Sequence, residues 1–352
     1  MFRIDKKTWY IIIVAITVLL FVSIALLFIR NIVGESTISS EQMFIPPNQN
    51  RIIMNEEQAG IVFNLLPEEE IDGSVSLWVL ESEWDGELFF ESPQDIFTVY
   101  IGNNSMNPMN LILKIFYNYE EAMFQPVATE NKGTELIIKL ESAHYAKIPM
   151  RLHLEDVSTD TLSKLTIGVF IAPEYYFANN EEFVHSSDSG IVLNFDINYG
   201  LNNELSLASA FFEVSAESEF GGATIDPNPV PPGDGSLRFI PRTLIAKAGE
   251  EVELTLFANA STNADVPTKD YLVIVMIDWH QVLVSDKYYI LVDTEDGERS
   301  MGQHVHFTVT APHEPGFYEF LAFLINNPTH RSTDSGFVPQ EIISRFTLEV
   351  VE

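Results

Sequence analysis

Residues 10–29, YIIIVAITVLLFVSIALLFI, form a run of twenty residues without a charge. At about 1.5 Å per residue, a helix of that length crosses the ~30 Å hydrocarbon core once. Arg3, Lys6 and Lys7 precede the run with only Asp5 against them, and such basic flanks stay on the cytoplasmic side. Trp9 and Tyr10 fall at the inner boundary, and Arg30 can reach back to the outer interface. The expectation is a single N-terminal transmembrane anchor with the remaining 322 residues outside. A cleaved leader has a shorter apolar stretch and a small-x-small site, whereas Arg30-Asn31-Ile32-Val33-Gly34-Glu35 follows here. The short basic leader of a pilin-type helix, cut at Gly or Ala before Glu, is also missing.

The chain carries 19 basic and 51 acidic residues, a formal charge of −32. Residues 1–30 hold four of the basic residues and one of the acidic, so the outer part is more acidic still. Such a field repels nucleic acid and anionic headgroups and keeps the outer part soluble. Apolar residues make up 46% and aromatics 12%, which is enough for packed cores and argues against disorder. With no cysteine, thiol catalysis, zinc-thiolate sites and haem attachment are excluded, and no cofactor is expected.

Beyond the anchor the chain is patterned as strands. Residues 31–50 are polar, hold Pro46-Pro47 and read as a stalk. Residues 219–236, EFGGATIDPNPVPPGDGS, hold four prolines and four glycines and read as an extended linker between domains. Between them, residues 51–218 contain eight strand-like runs, from SVSLWVLES (74–82) to SAFFEVSA (209–216). Asp85-Gly86 between two of the apolar runs reads as a hairpin turn. The spacing suggests an antiparallel sandwich.

Residues 237–352 hold seven further runs. EVELTLF (251–257), HVHFTVT (304–310) and RFTLEV (345–350) alternate as half-buried strands do. LRFIPRTLIAK, YLVIVMIDW, KYYILVD and FYEFLAFLIN lie around them. Ala248-Gly249-Glu250-Glu251-Val252 before an alternating strand, and Thr310-Ala311-Pro312 followed by Pro315-Gly316-Phe317-Tyr318, resemble the strand entries of bacterial Ig-like modules. The resemblance implies a sandwich in which Tyr318 is the tyrosine-corner residue and Trp279 the core tryptophan of the third strand. It implies a fold and no activity. The expected architecture is all-β: two antiparallel β-sandwich domains, the second Ig-like, on one transmembrane helix.

Candidates for chemistry are few. His304 and His306 share a strand face with Thr308 and Thr310, which reads as an outward, solvated face rather than a metal site. Asp278 and His280 could join them only from the same side. The acidic doublets Glu68-Glu69-Glu70, Glu120-Glu121, Glu181-Glu182 and Glu250-Glu251 place neighbours on opposite strand faces, so no glycosidase pair is assigned. Asp293-Thr294-Glu295-Asp296-Gly297 reads as a turn rather than a calcium loop. Asn103-Asn104-Ser105 and Asn259-Ala260-Ser261 match the glycosylation acceptor pattern. No nucleophile elbow, phosphate loop or zinc-protease motif occurs.

The most informative anomaly lies on two strands of the second domain. With Val273, Val275, Ile277, Phe320, Ala322 and Leu324 facing the core, the opposite phase should meet water. It reads Leu272, Ile274 and Met276 on one strand and Leu321, Phe323 and Ile325 on the other. Sheets with one wet face alternate, so these six mark an interface. The expected function is a membrane-anchored, extracytoplasmic, non-enzymatic structural or partner-binding subunit of a cell-surface assembly. It would meet a protein partner or a second copy through this face. A surface-displayed carbohydrate- or small-ligand-binding module is the alternative, and an envelope hydrolase the third reading.

Overall fold

The computed structural model describes residues 50–54, 61–62, 75–81, 86–90, 92, 95–105, 107–154, 163–172, 190–198, 215–216, 223–226, 243–258, 270–293, 303–332 and 340–352. The anchor and nearly all of the stalk lie outside these residues. Among the described residues no helix is long and apolar enough to cross a membrane. Phe44–Glu352 forms one compact unit.

Among the described residues every regular element is a strand, and these strands form four sheets. The first runs β1 (Arg51–Met54), β9 (Glu135–Leu140), β6 (Met109–Tyr117), β11 (Ser163–Ile171), β12 (Gly190–Asn198) and β4 (Glu87–Phe89), with β7 (Glu120–Glu121) paired to β6. The second runs β2 (Ile61–Val62), β10 (Tyr145–His153), β5 (Ile96–Asn103) and β3 (Val75–Val79), with β8 (Met123–Pro126) on β10. The third runs β15 (Thr243–Lys247), β22 (Glu341–Val351), β21 (Gly316–Asn326), β17 (Asp270–Ile277) and β18 (His280–Gln281), with β19 (Ile290–Asp293) on β17. The fourth runs β13 (Ser215–Ala216), β20 (Gln303–Thr310), β16 (Glu251–Ala258) and β14 (Ala223–Asp226).

The first and second sheets enclose one apolar core, with Leu113, Ile115, Ile167 and Val169 meeting Phe97, Val99 and Ile148. The third and fourth enclose another, with Val273, Val275, Phe320 and Leu324 meeting Leu254, Val305 and Phe307. A third apolar layer joins the two sandwiches through the outer faces of the first and third sheets. The result is a four-layer stack. Its two inner sheets are covered on both faces, so β11 and β17 are buried at every position. That is why β17 runs apolar without alternating, whereas β11 places Lys164, Thr166, Gly168 and Phe170 on its seam phase.

All seven strands expected in the second sandwich are present. The third, sixth and seventh (β17, β21, β22) are neighbours in one sheet, and the second and fifth (β16, β20) pair in the other. This is the Ig-like arrangement. The first, β15, runs parallel to β22. Tyr318 makes the expected corner: its hydroxyl donates to the Glu314 carbonyl at 2.7 Å.

Three expectations need correction. Gly86 has φ of +83°, as a turn glycine should, but β3 and β4 lie in different sheets, so the connection containing Asp85-Gly86 is no hairpin. Within the Pro/Gly-rich linker, Ala223–Asp226 pairs with β16 and buries Ile225 in the second core. Pro flanking a strand is tolerated there because β14 sits at a sheet edge. Trp279 is not a core tryptophan of the second sandwich. It occupies the turn after β17, with φ of +68°, and its ring joins the layer between the sandwiches.

Candidate functional site

The six residues Leu272, Ile274, Met276, Leu321, Phe323 and Ile325 come together as expected. The register pairs Leu272 with Ile325, Ile274 with Phe323 and Met276 with Leu321. None is more than 1% exposed. What covers them is the first sandwich of the same chain: Ile112 and Phe116 on β6, Ile137 on β9, Phe170 on β11 and Val192 on β12. The face is therefore not open to a separate protein, and its assignment as a partner interface is corrected. Burying six such side chains contributes roughly 1.5–3 kcal/mol each relative to exposure, which explains why the chain closes the face on itself.

Two hairpin turns anchor the seam from opposite sides. Asn118-Tyr119 links β6 to β7, and Asp278-Trp279 links β17 to β18; all four residues have positive φ. Two-residue turns of this kind favour glycine second, since a left-handed L-residue costs roughly 1–2 kcal/mol. Here the second position is an aromatic ring buried in the seam. Trp279 lies against Phe170 at 5.6 Å and beneath the Arg345 guanidinium at 5.3 Å. Phe170 reaches it by lying across Gly168, where a Cβ would stand 2.6 Å from its ring. Tyr119 packs edge-on to Tyr289, and its hydroxyl donates to the Pro328 carbonyl at 2.9 Å. The Gln281 amide completes the clasp, donating to the Tyr119 carbonyl at 2.8 Å and accepting from the Glu121 amide at 2.7 Å.

Around the apolar layer runs a set of charges, most of them buried. Lys164 sits 2.5 Å from Asp196 and donates to the His330 carbonyl at 2.5 Å; Asp196 in turn accepts from the Ser332 amide at 2.7 Å. Arg345 pairs with Glu319 and donates to the Ile171 carbonyl at 2.5 Å. Lys114 pairs with Glu121, and Arg51 with Glu135 at 2.8 Å. Arg331 lies 3.4 Å from Glu87. Burial pushes the Lys114 and Lys164 ammonium groups below their ordinary range, and their carboxylate partners oppose the shift. Glu121 is raised by burial, but His280 and Lys114 more than offset this and hold it below its ordinary range. Four of these contacts (Lys164 to His330, Ser332 to Asp196, Arg345 to Ile171, Arg331 to Glu87) cross from one sandwich to the other.

Asp278 is the unusual member. Burial pushes its carboxyl from 3.8 up to about 7; Arg51 opposes the shift, and Glu319 adds to it. The folded state therefore holds a proton between about pH 4 and 7 that the unfolded chain has released. Stability contributed by this site is complete below pH 4 and falls by up to ~1.4 kcal/mol per pH unit towards pH 7. Asp278→Asn keeps a residue that tolerates positive φ and cannot ionise. The variant should match the parent at pH 4 and exceed it by up to about 4 kcal/mol at pH 8. Urea unfolding at the two pH values checks this, and equal stability at pH 8 would show that the carboxyl ionises there at no cost.

The remaining candidates do not converge on a site. His306 faces outward, with its ring 59% exposed, 3.8 Å from Glu253 and 3.1 Å from the Thr255 hydroxyl. Asp278 and His280 belong to the third sheet and His306 to the fourth, so they do not join. No group of three or more His, Asp or Glu able to hold a metal occurs among the described residues. The His304 side chain, Glu68-Glu69-Glu70, Glu181-Glu182, residues 294–297 and Asn259 lie outside the described residues. Asn103 cannot accept a glycan as folded, because it is fully buried and its amide donates to the carbonyls of Asn107, Leu140 and Glu141. Lys114, Lys164, Asp196, Arg345 and Glu319 were missed in the sequence, where charges inside apolar runs read as solvated.

No protein-family model and no curated protein sequence matches the chain. Solved structures resemble it at low identity. The red sea bream transglutaminase aligns with 79% of this chain at 12% identity and a TM-score of 0.21, over 31% of its own length. The C-terminal domain of the Streptococcus agalactiae AgI/II polypeptide BspA aligns with 78% of this chain over 99% of its own, at 9% identity and a TM-score of 0.22. The Clostridium thermocellum CbhA fibronectin(III)-like modules align with 78% over 93%, at 11% identity and a TM-score of 0.19. TM-scores this low carry no argument. The class assignment, two fused β-sandwiches with the second Ig-like, rests on the strand order itself.

Proposed function

We propose that the chain is a surface-displayed structural subunit that works without catalysis, held to a membrane by residues 10–29. The observation that carries this reading is the shared apolar layer between the sandwiches. Two modules joined by a flexible linker would reorient freely. Two modules that share a core and interlock charged groups act as one block, which suits a spacer or presenting element. The charge-free run and its basic flank support the anchor, and the acidic outer part supports an exposed, non-sticking surface.

The topology is tested on intact cells. External protease should remove an epitope placed after Glu352 while a tag before Met1 stays protected. Intact mass of the membrane-extracted protein should retain residues 1–30. A mature chain starting near residue 35, or an untouched C-terminal epitope, would contradict the reading.

A further inference from the structure

The outer face of the second sheet lies opposite the seam and carries a different chemistry. Strand β10 alternates without a break, sending Ala146, Ile148, Met150 and Leu152 into the core. Tyr145, Lys147, Pro149, Arg151 and His153 take the other phase and form an outward row. At 3.3 Å per residue that row is ~26 Å long.

Beside its first half stand two aromatic residues, one on β5, which pairs with β10, and one on β3 beyond it. Trp78 on β3, 39% exposed, stacks on Tyr100 of β5 with centroids 4.7 Å apart and planes within 8°. Lys147 covers the Tyr100 ring at 5.7 Å. Tyr145 lies over Gly102, where a Cβ would come within 2.3 Å of its ring, and stands 5.5 Å from Trp78. Its hydroxyl donates to Asn104, which fixes the ring. The aromatic group is therefore set in place at the end of a cationic row.

The cations are what separate this face from an ordinary paired sheet. In a chain with 51 acidic and 19 basic residues, each base has acids to spare. Arg51, Lys114, Lys164, Arg331 and Arg345 all take one. Lys147, Arg151 and the nearby Lys132 make no ion pair among the described residues; Lys247 and Lys287 make none either, but Lys147 and Arg151 stand together on one strand beside the aromatic group. The His153 ring, which hydrogen-bonds Gln125 at 3.0 Å, is held below its ordinary range by burial first and then by Lys132 and Arg151.

We propose that this face binds an acidic polysaccharide along β10, with a pyranose ring against Trp78 and the carboxylates or sulfates of the chain on Lys147 and Arg151. Polarised C–H groups of a sugar face meet the negative face of an indole, and the unpaired bases supply the charge contacts. The stripe is narrow, and at physiological salt fields decay over about 8 Å. A single polymer strand can follow it. A flat anionic membrane would meet the surrounding acidic surface as well, and is disfavoured for that reason. The inference is independent of the anchor and of the structural role proposed above.

The test uses the full chain in detergent, with polygalacturonate and heparin as probes and dextran, polyglutamate and phosphatidylserine vesicles as comparators. At least one acidic polysaccharide should bind, with affinity falling as salt rises, while dextran does not. Lys147→Ala with Arg151→Ala should weaken that binding about tenfold or more, and Trp78→Ala several-fold. If Trp78→Ala lowers the unfolding midpoint, the double variant decides alone, because both of its side chains reach the surface. Failure of both acidic polysaccharides to bind overturns the proposal. So does polyglutamate binding as tightly, which would reduce the face to charge, or vesicles binding with the same dependence on Lys147 and Arg151, which would make it a membrane surface.

Discussion

Ile274→Glu combined with Phe323→Glu should abolish the folded state of the whole unit, not only the contact between its halves. The two positions are opposite one another across β17 and β21, and both are fully buried. Phe323 also lies 5.5 Å from Phe116 and 6.1 Å from Phe170 of the first sandwich. Two adjacent carboxylates there have no cation partner and no water. The cost of burying them exceeds the ~5–15 kcal/mol by which a domain is stable. Ile274→Val with Phe323→Leu removes volume without charge and should cost only about 1–3 kcal/mol. Thermal unfolding with near-ultraviolet circular dichroism distinguishes the outcomes. If the charged variant keeps a cooperative transition in both sandwiches, the face is wet and the shared layer does not exist in solution.

Lys164→Ala has the second largest expected effect. The ammonium is buried between Asp196 of the first sandwich and the His330 carbonyl of the second. Its removal leaves Asp196 as a buried carboxylate that retains the Ser332 amide but no cation. Breaking such a pair costs roughly 3–5 kcal/mol, whereas replacing both members is close to neutral. Lys164→Met with Asp196→Asn should therefore recover most of the loss, since Asn still accepts from Ser332. A single-variant loss below about 1 kcal/mol would place the pair in contact with solvent.

The sandwich folds were legible because their outer strands alternate. Val252, Leu254 and Leu256 against Glu251, Glu253 and Thr255 can be read directly, and so can Val305, Phe307 and Val309. The extra apolar phase of β17 and β21 was legible too, and it correctly marked a buried face. Its occupant was harder to see. Leu111–Phe116 on β6 show the same failure to alternate, and on β11 only Phe170 breaks the alternation of Leu165, Ile167 and Val169 with Thr166 and Gly168, so one of the two doubly covered sheets that satisfy each other is only partly marked. Each run alone reads only as a short buried strand, which periodicity cannot locate in a stack.

The polar seam was hidden for a related reason. A lysine inside an apolar run, such as Lys114 or Lys164, is ordinarily taken as an outward-facing position, because burial without a partner is prohibitive. Its partners Glu121 and Asp196 come from other strands and are not linked to it by any local spacing. The two anchoring turns were hidden because both lack the glycine that identifies such hairpins. With the turn unseen, the Ig-like resemblance places Trp279 in the core in phase with Val273, Val275 and Ile277, which is the wrong layer. The positive φ at Asp278 and Trp279 turns the ring to the opposite face.

Native-state hydrogen exchange of the full chain in increasing urea tests the central claim, that the two sandwiches are one cooperative block. Amides of β6 and β11 on one side of the seam, and of β17 and β21 on the other, should exchange only through global unfolding. Their opening free energies should converge on one value and fall with the same urea dependence. If β17 and β21 open at a lower free energy and a shallower slope than β6 and β11, the second sandwich unfolds by itself. The block would then be two independent modules in contact.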